Sequence, residues 1–198
     1  MGTMWQPMAL RLREAVDAGE LGLWDLRPEL ETVHYSPQWK QRLGFPEPHS
    51  ADGTHFWRCR VHPDDLEDML AAMRAHARGI EPRYEATFRL RSNGSGYRVV
   101  HSRGRVIERR ADGGALRMVG TALDLTPRPC TPLGGLPDGP CDAMVGAPLE
   151  RPFHRLLGLQ RAGEGADAAP ECQRVLHLVD DLVRATLAHL EEVRLRAV

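Results

Sequence analysis

Between Tyr84 and Leu90 the side chains alternate, with Tyr84, Ala86, Phe88 and Leu90 apolar and Glu85, Thr87, Arg89 and Arg91 polar. A period of two predicts a strand with one buried face. The turn residues Asn93-Gly94-Ser95-Gly96 follow, where glycine can take positive φ. A long strand from Tyr97 to Arg109, a second turn at Asp112-Gly113-Gly114 and a strand from Leu116 to Thr126 complete an antiparallel meander. Upstream, Leu21–Leu26 and Glu31–Tyr35 read as a hairpin around Pro28 and Glu29.

The helical period appears in four places. Pro7–Asp17 carries a partial apolar face at Leu10, Leu12, Ala15 and Val16, and Gly19 can end it. Ser36-Pro37 reads as an N-cap and first helical position, with the helix running to about Leu43. Pro63-Asp64-Asp65 opens the next helix, with carboxylates at the positive end of its dipole. Leu66, Met69, Leu70 and Met73 give that helix a buried face, and Gly79 ends it. Glu171–Val198 carries a broad stripe of Val175, Leu176, Val179, Leu182, Val183, Leu187, Leu190 and Val193. Residues 45–55 read as a loop. Prolines and glycines between Pro127 and Pro148 mark a linker, followed by a short helix at 152–161 and a loop at 163–169.

These elements predict an α+β fold, a five-stranded antiparallel sheet with helices inserted between strands 2 and 3, plus a C-terminal helical appendage. The division expected is residues 1–126 as one domain, 127–150 as linker and 151–198 as a helical segment.

Composition narrows the functional classes. The chain has 198 residues, 42% hydrophobic and 27% charged, as a globular protein does. A net charge of −1 supplies no general attraction to nucleic acid or to an anionic membrane. No apolar run reaches the roughly 18 residues of a membrane span. Met1–Gln6 has no basic region leading into an apolar core, so the expected location is cytoplasmic. Cys59, Cys130, Cys141 and Cys172 form no C-x-x-C pair and are expected as free thiols. Only Lys40 among the 26 basic residues is a lysine, which we read as the codon bias of a GC-rich bacterial genome.

The order of short motifs resembles a PAS domain with its C-terminal PAC segment, the sensor module of many bacterial signalling proteins. Leu21-Gly22-Leu23-Trp24-Asp25-Leu26 looks like the first strand of that family. His34-Tyr35-Ser36-Pro37 and Leu43-Gly44-Phe45 resemble its second strand and following helix. Val61-His62-Pro63-Asp64-Asp65-Leu66, Arg89-Leu90-Arg91, Asn93-Gly94 and Asp124-Leu125-Thr126 follow in family order. There are departures. Asn93 stands where Asp is usual, Ser95-Gly96 looks one residue long, and Val99 occupies a place that often carries Trp. In typical members the final triplet leads into a signalling helix. Here Pro127, Pro129 and Pro132 follow, and proline disfavours a continuous rod.

The resemblance implies sensing or coupling rather than catalysis, by a ligand- or partner-linked conformational shift. A pocket, where one exists, would be lined by Trp24, Trp39, Trp57, His62, Met69, Met73, Phe88 and Val99, the aromatic members of which would otherwise pack a core. The cofactor stays unknown. Haem is considered because some haem-binding relatives place their axial ligand late in the helix that holds His76, but Arg74 and Arg78 beside it suggest a solvated helix end. His62 reads as a structural turn residue. Flavin-binding relatives carry a Cys in an Asn-Cys-Arg-Phe context, which Trp57-Arg58-Cys59-Arg60 does not match. No metal cluster and no phosphate-binding loop is present.

Nine arginines lie between Arg83 and Arg117 and are expected to form a basic sheet face, either solvated or docked on acidic residues such as Asp180, Asp181, Glu191 and Glu192. No motif for nucleic acid accompanies them. His177 and His189 raise the lowest-ranked reading, a phosphorelay component, without the flanking pattern of kinase helices. The apolar stripe of the last helix must bury against its own domain or a second copy, and a homodimer is expected, with a signalling protein or small molecule as further partner. The alternative is a ligand-free structural adaptor or dimerisation domain, supported by a pocket filled with large side chains.

Overall fold

The computed structural model describes residues 12–45, 51–94, 96–126 and 170–196. A helix over residues 12–17 (α1) leads into β1 (Leu21–Arg27). A 3₁₀ turn at Pro28–Leu30, closed by Glu31 at φ 49°, returns the chain as β2 (Thr32–Tyr35). Then come α2 (Pro37–Arg42), β3 (Asp52–Gly53), α3 (Thr54–Arg58) and α4 (Pro63–Ala77). The meander is β4 (Tyr84–Arg91), β5 (Tyr97–Arg109) and β6 (Ala115–Asp124), and α5 spans Pro170–Arg196.

The sheet is antiparallel in the order β3-β2-β1-β6-β5-β4, an α+β arrangement with six strands rather than five. The extra strand is only Asp52–Gly53, paired with Val33 and Thr32 inside the stretch expected as loop. Two residues carry no alternation to read. The linker from 127, the short helix at 152–161 and the loop at 163–169 lie outside the described residues.

Strand periodicity gives the sheet two apolar faces. Leu21, Leu23, Val119 and Leu123 point to one, where Leu12, Ala15 and Val16 of α1 and Val175, Val179, Leu182, Val183, Leu187 and Leu190 of α5 meet them. Trp24, Val100, Met118, Ala122, Tyr84 and Phe88 point to the other, under Trp39, Leu43, Trp57 and Met69 of the inserted segment. We call these the α5 face and the helical face.

Helix boundaries follow local chemistry. His62 caps α4, its Nδ1 accepting from the Asp64 amide at 3.3 Å, and Gly79 ends it at φ 78°. Ser36 does not cap α2 with its side chain. Its hydroxyl instead accepts from the Leu23 amide at 3.1 Å, tying the helix start to β1.

Candidate functional site

The helical face is built around a tryptophan laid across the sheet. Trp24 leaves β1 and its indole passes over β6 and β5 at Gly120 and Gly104. A Cβ on Gly120 would lie 2.0 Å from the Trp24 ring, and one on Gly104 2.5 Å away. The indole N–H donates to Ser102 Oγ and to the Thr121 carbonyl, each at 3.1 Å. Tyr84 meets the ring edge-on at 6.0 Å. Burial pushes the Tyr84 phenol well above its ordinary range, so it stays a neutral donor. Trp39, wholly buried, lies in the same way against Gly22, where an added Cβ would meet the ring at 2.6 Å. Its indole N–H has no hydrogen-bond acceptor among the described residues.

A charged group closes the outer edge of this cluster. Lys40 is 1% exposed, and its ammonium bonds Asp52 Oδ1 at 3.0 Å. Asp52 Oδ2 accepts the Trp57 indole N–H at 2.9 Å. The short strand β3 thus brings the carboxylate to the one lysine of the chain. Tyr35, 4.5 Å from the Trp57 ring, has its phenol pushed up chiefly by burial, with Tyr84 and Asp52 adding to it.

Of the eight residues expected to line a pocket, Trp24, Trp39, Trp57, Met69 and Phe88 come together in this buried cluster, and Met73 packs against it half-buried. His62 does not join them. It sits at the α4 N-terminus with its ring 4.9 Å from Tyr97. Val99 does not join them either. Its neighbour Val100 faces the cluster, so the strand's alternation turns Val99 to the α5 face. That register was readable from the sequence; the resemblance misplaced it by one residue.

His76 is corrected from a solvated helix end to a buried linchpin, 3% exposed. Its Nδ1 is 2.8 Å from the Glu81 carbonyl and its Nε2 accepts the Val106 amide at 3.0 Å. Both ring nitrogens are thereby committed, one as donor and one as acceptor, and burial lowers the ring's basicity. Cys59 is an exposed thiol, 3.2 Å from the Phe56 carbonyl.

The arginines disperse to separate partners instead of forming one basic face. Arg89 grips Asp65 with its backbone amide and guanidinium at 2.7–2.8 Å. That grip holds the Asp65 carboxyl down at about 2. Arg109 donates to the last carbonyls of α4, at Ala77 (2.8 Å) and His76 (3.2 Å). Arg98 bonds Asp124 at 3.0 Å, Arg110 pairs with Glu29, and Arg83 lies 3.5 Å from Glu85. Arg117 makes a buried ion pair with Asp25, Nε reaching the two carboxylate oxygens at 3.0 and 3.1 Å. The final triplet also has a local task. Asp124 accepts the Thr126 amide at 3.0 Å, and Thr126 Oγ1 accepts the Val99 amide at 3.0 Å, which seals the end of β5.

The α5 face carries polar ties that sequence reading missed. Thr121 and Thr186 hydroxyls meet at 2.7 Å, and Arg103 donates to the Ala185 carbonyl at 2.9 Å. The rings of His101 and His189 cross edge-to-face at 4.7 Å. Asp181, one of the acidic residues that the sequence offered to the arginines, lies in the field of Arg105. His177 is exposed on the far side of α5. An aspartate or threonine at a strand position that should be apolar, as at Asp25 and Thr121, was the available signal for these ties. Among the described residues no group of three or more His, Cys, Asp or Glu side chains is arranged to hold a metal ion, and no helix is long and apolar enough to cross a membrane.

Residues 32–122 match the family model described as PAS fold. No curated protein matches the chain. Among solved structures, the chain is similar to a sensory box histidine kinase/response regulator from Burkholderia thailandensis, at 30% identity over 59% of this chain and 85% of that one, with a TM-score of 0.49. It is also similar to the N-terminal domain of a diguanylate cyclase with PAS/PAC sensor from Marinobacter aquaeolei, at 20% identity over 54% of this chain and 95% of that one, with a TM-score of 0.47.

Proposed function

The chain belongs to the PAS-fold family through residues 32–122, and from that premise we propose that it is a non-catalytic signal-sensing or interaction module of bacterial signal transduction. Its response is a shift in the docking of α5 on the sheet, linked to a ligand or a protein partner. One observation carries this reading. The apolar stripe of α5 is spent on its own sheet, where it covers Leu21, Leu23, Val119 and Leu123. A helix that arrives from residue 170, beyond the proline-rich stretch, covers a face completed at residue 123. Release of α5 would expose both surfaces at once, and an exposed apolar face of that kind is a partner site.

A second reading, the ligand-free adaptor, is favoured by Trp24. Its indole occupies the middle of the helical face, and protein groups satisfy its N–H. The residues expected to line a pocket then serve as core.

Hydrogen exchange of the full chain tests the moving part. The α5 amides should open in a step of lower free energy than the strands β1, β5 and β6. Exchange of α5 only together with those strands would make it fixed core and sink the proposal. Native mass spectrometry of the same preparation separates the two readings, since an adduct of a few hundred daltons marks a ligand and the bare chain mass favours the adaptor.

A further inference from the structure

The joint between β5 and α5 contains two imidazoles in contact, and the surroundings of His101 suit a neutral ring. His101 is 9% exposed. Its Nδ1 is 2.9 Å from the Thr87 hydroxyl on β4, and its Nε2 lies 3.2 Å from Glu85 Oε1 without the alignment of a hydrogen bond. The Glu85 carboxylate is taken up by Arg103, whose Nε donates to it at 3.0 Å. That same Arg103 reaches across to the Ala185 carbonyl on α5. From α5 the facing titratable group is His189, 4.7 Å ring to ring. A proton added to His101 therefore enters a partly desolvated joint that already holds the Arg103 guanidinium and a second imidazole, with the Glu85 carboxylate shared among them and Arg83 3.5 Å from the other oxygen of that carboxylate.

We propose that the His101–His189 contact is an acid-sensitive latch, which holds α5 on the sheet at neutral pH and loosens it when His101 takes a proton. The ligand of this site is the proton. The inference rests on the reading of α5 docking as the response and names one signal that would drive it.

The direction follows from linkage. Burial, helped by Arg103 and His189 and opposed by Glu85, lowers His101 from 6.5 to about 4. Once α5 leaves, its burial of the ring and the His189 imidazole are removed, while Arg103 and Glu85 stay beside it on the sheet, and the ring moves back toward its ordinary affinity for protons. A group depressed in the docked state favours docking in its neutral form. Docking is then at full strength above 6.5, weakens as pH falls from 6.5 toward 4, and is flat below that. When the whole difference is expressed on release, docking at pH 5 is about thirtyfold weaker than at neutral pH.

The test is hydrogen exchange of the α5 amides in the full chain at pH 7.5 and pH 5.0, each normalised to the chemical exchange rate at that pH, with α4 amides as internal control. The expected result is a loss of α5 protection at pH 5.0 of up to about thirtyfold, unmatched in α4, and largely absent in His101→Gln. Equal protection at the two pH values, or an equal loss in His101→Gln, overturns the latch and leaves the docking response intact. An α5 already unprotected at pH 7.5 overturns the docking response itself. If His101→Gln does not fold, an NMR titration of wild-type ring protons decides: His101 near 4 supports the latch and a value near 6.5 sinks it.

Discussion

The two faces of the sheet are held by different means. The helical face is aromatic and shape-matched, with indoles set against glycines where no side chain could fit, Trp24 on Gly104 and Gly120 and Trp39 on Gly22. It is assembled from residues 24–122, nearly the span that matches the PAS-fold family. The α5 face is aliphatic, with valines and leucines against valines and leucines, and direction comes from a few polar ties such as Thr121–Thr186. Interlocked aromatic shapes have few alternative packings, whereas an aliphatic stripe with sparse hydrogen bonds can separate and re-form. The contrast places rigidity on one side and the capacity to move on the other.

The largest effect is expected at Gly120. Gly120→Ala puts a Cβ 2.0 Å from the Trp24 ring and 2.2 Å from the Arg103 carbonyl, and the backbone on one side cannot yield. We expect a loss of about 3 kcal/mol or more, read from urea unfolding. A variant within about 0.5 kcal/mol of wild type would mean that Trp24 moves aside freely, and the helical face would lose its claim to rigidity.

Next comes Leu182, fully buried on α5. Leu182→Ala should cost about 2–3 kcal/mol, the lower part of the range for such truncations because a surface helix can settle into the gap. The cost should fall on α5 alone. Exchange protection of α5 drops while that of β4, β5 and α4 holds. Equal losses in both regions would show one cooperative unit, and the contrast between faces would be structural but not energetic.

What the sequence disclosed divides along the same line. The alternation from Tyr84 to Leu90 and the Leu66–Met73 period were legible because each records a single buried face over several residues. The stripe of α5 was legible too, but not what it covers, since a stripe states only that burial occurs. β3 was invisible because Asp52–Gly53 is too short to carry a period. His76 was misread because Arg74 and Arg78 are its neighbours in sequence, while its bond to the Val106 amide is 30 residues distant. The arginines were read as a group because they cluster along the chain. Their partners, Asp25 for Arg117 and Asp65 for Arg89, lie 92 and 24 residues away. The polar ties of the α5 face depend wholly on such long-range pairing, so the candidate site was far less legible than the fold.

The finest test uses the two threonines, because their hydrogen bonds are ordered. Thr186 donates to the Leu182 carbonyl at 2.9 Å within its own helix. Its single proton being used there, it is Thr121 that donates across the interface to Thr186 Oγ1 at 2.7 Å. Removal of either hydroxyl therefore has unequal consequences. Thr186→Val strands the buried Thr121 donor and should weaken α5 docking by about 1–2 kcal/mol. Thr121→Val leaves Thr186 its helical acceptor and should cost about 0.5 kcal/mol. The double variant, with both partners apolar and of similar shape, should be less damaged than Thr186→Val alone, a coupling that exchange rates of α5 measure directly. Simple additivity would mean that the two hydroxyls do not bond in solution. The α5 face would then be held by aliphatic contact alone, with no polar register to set where the helix returns after release.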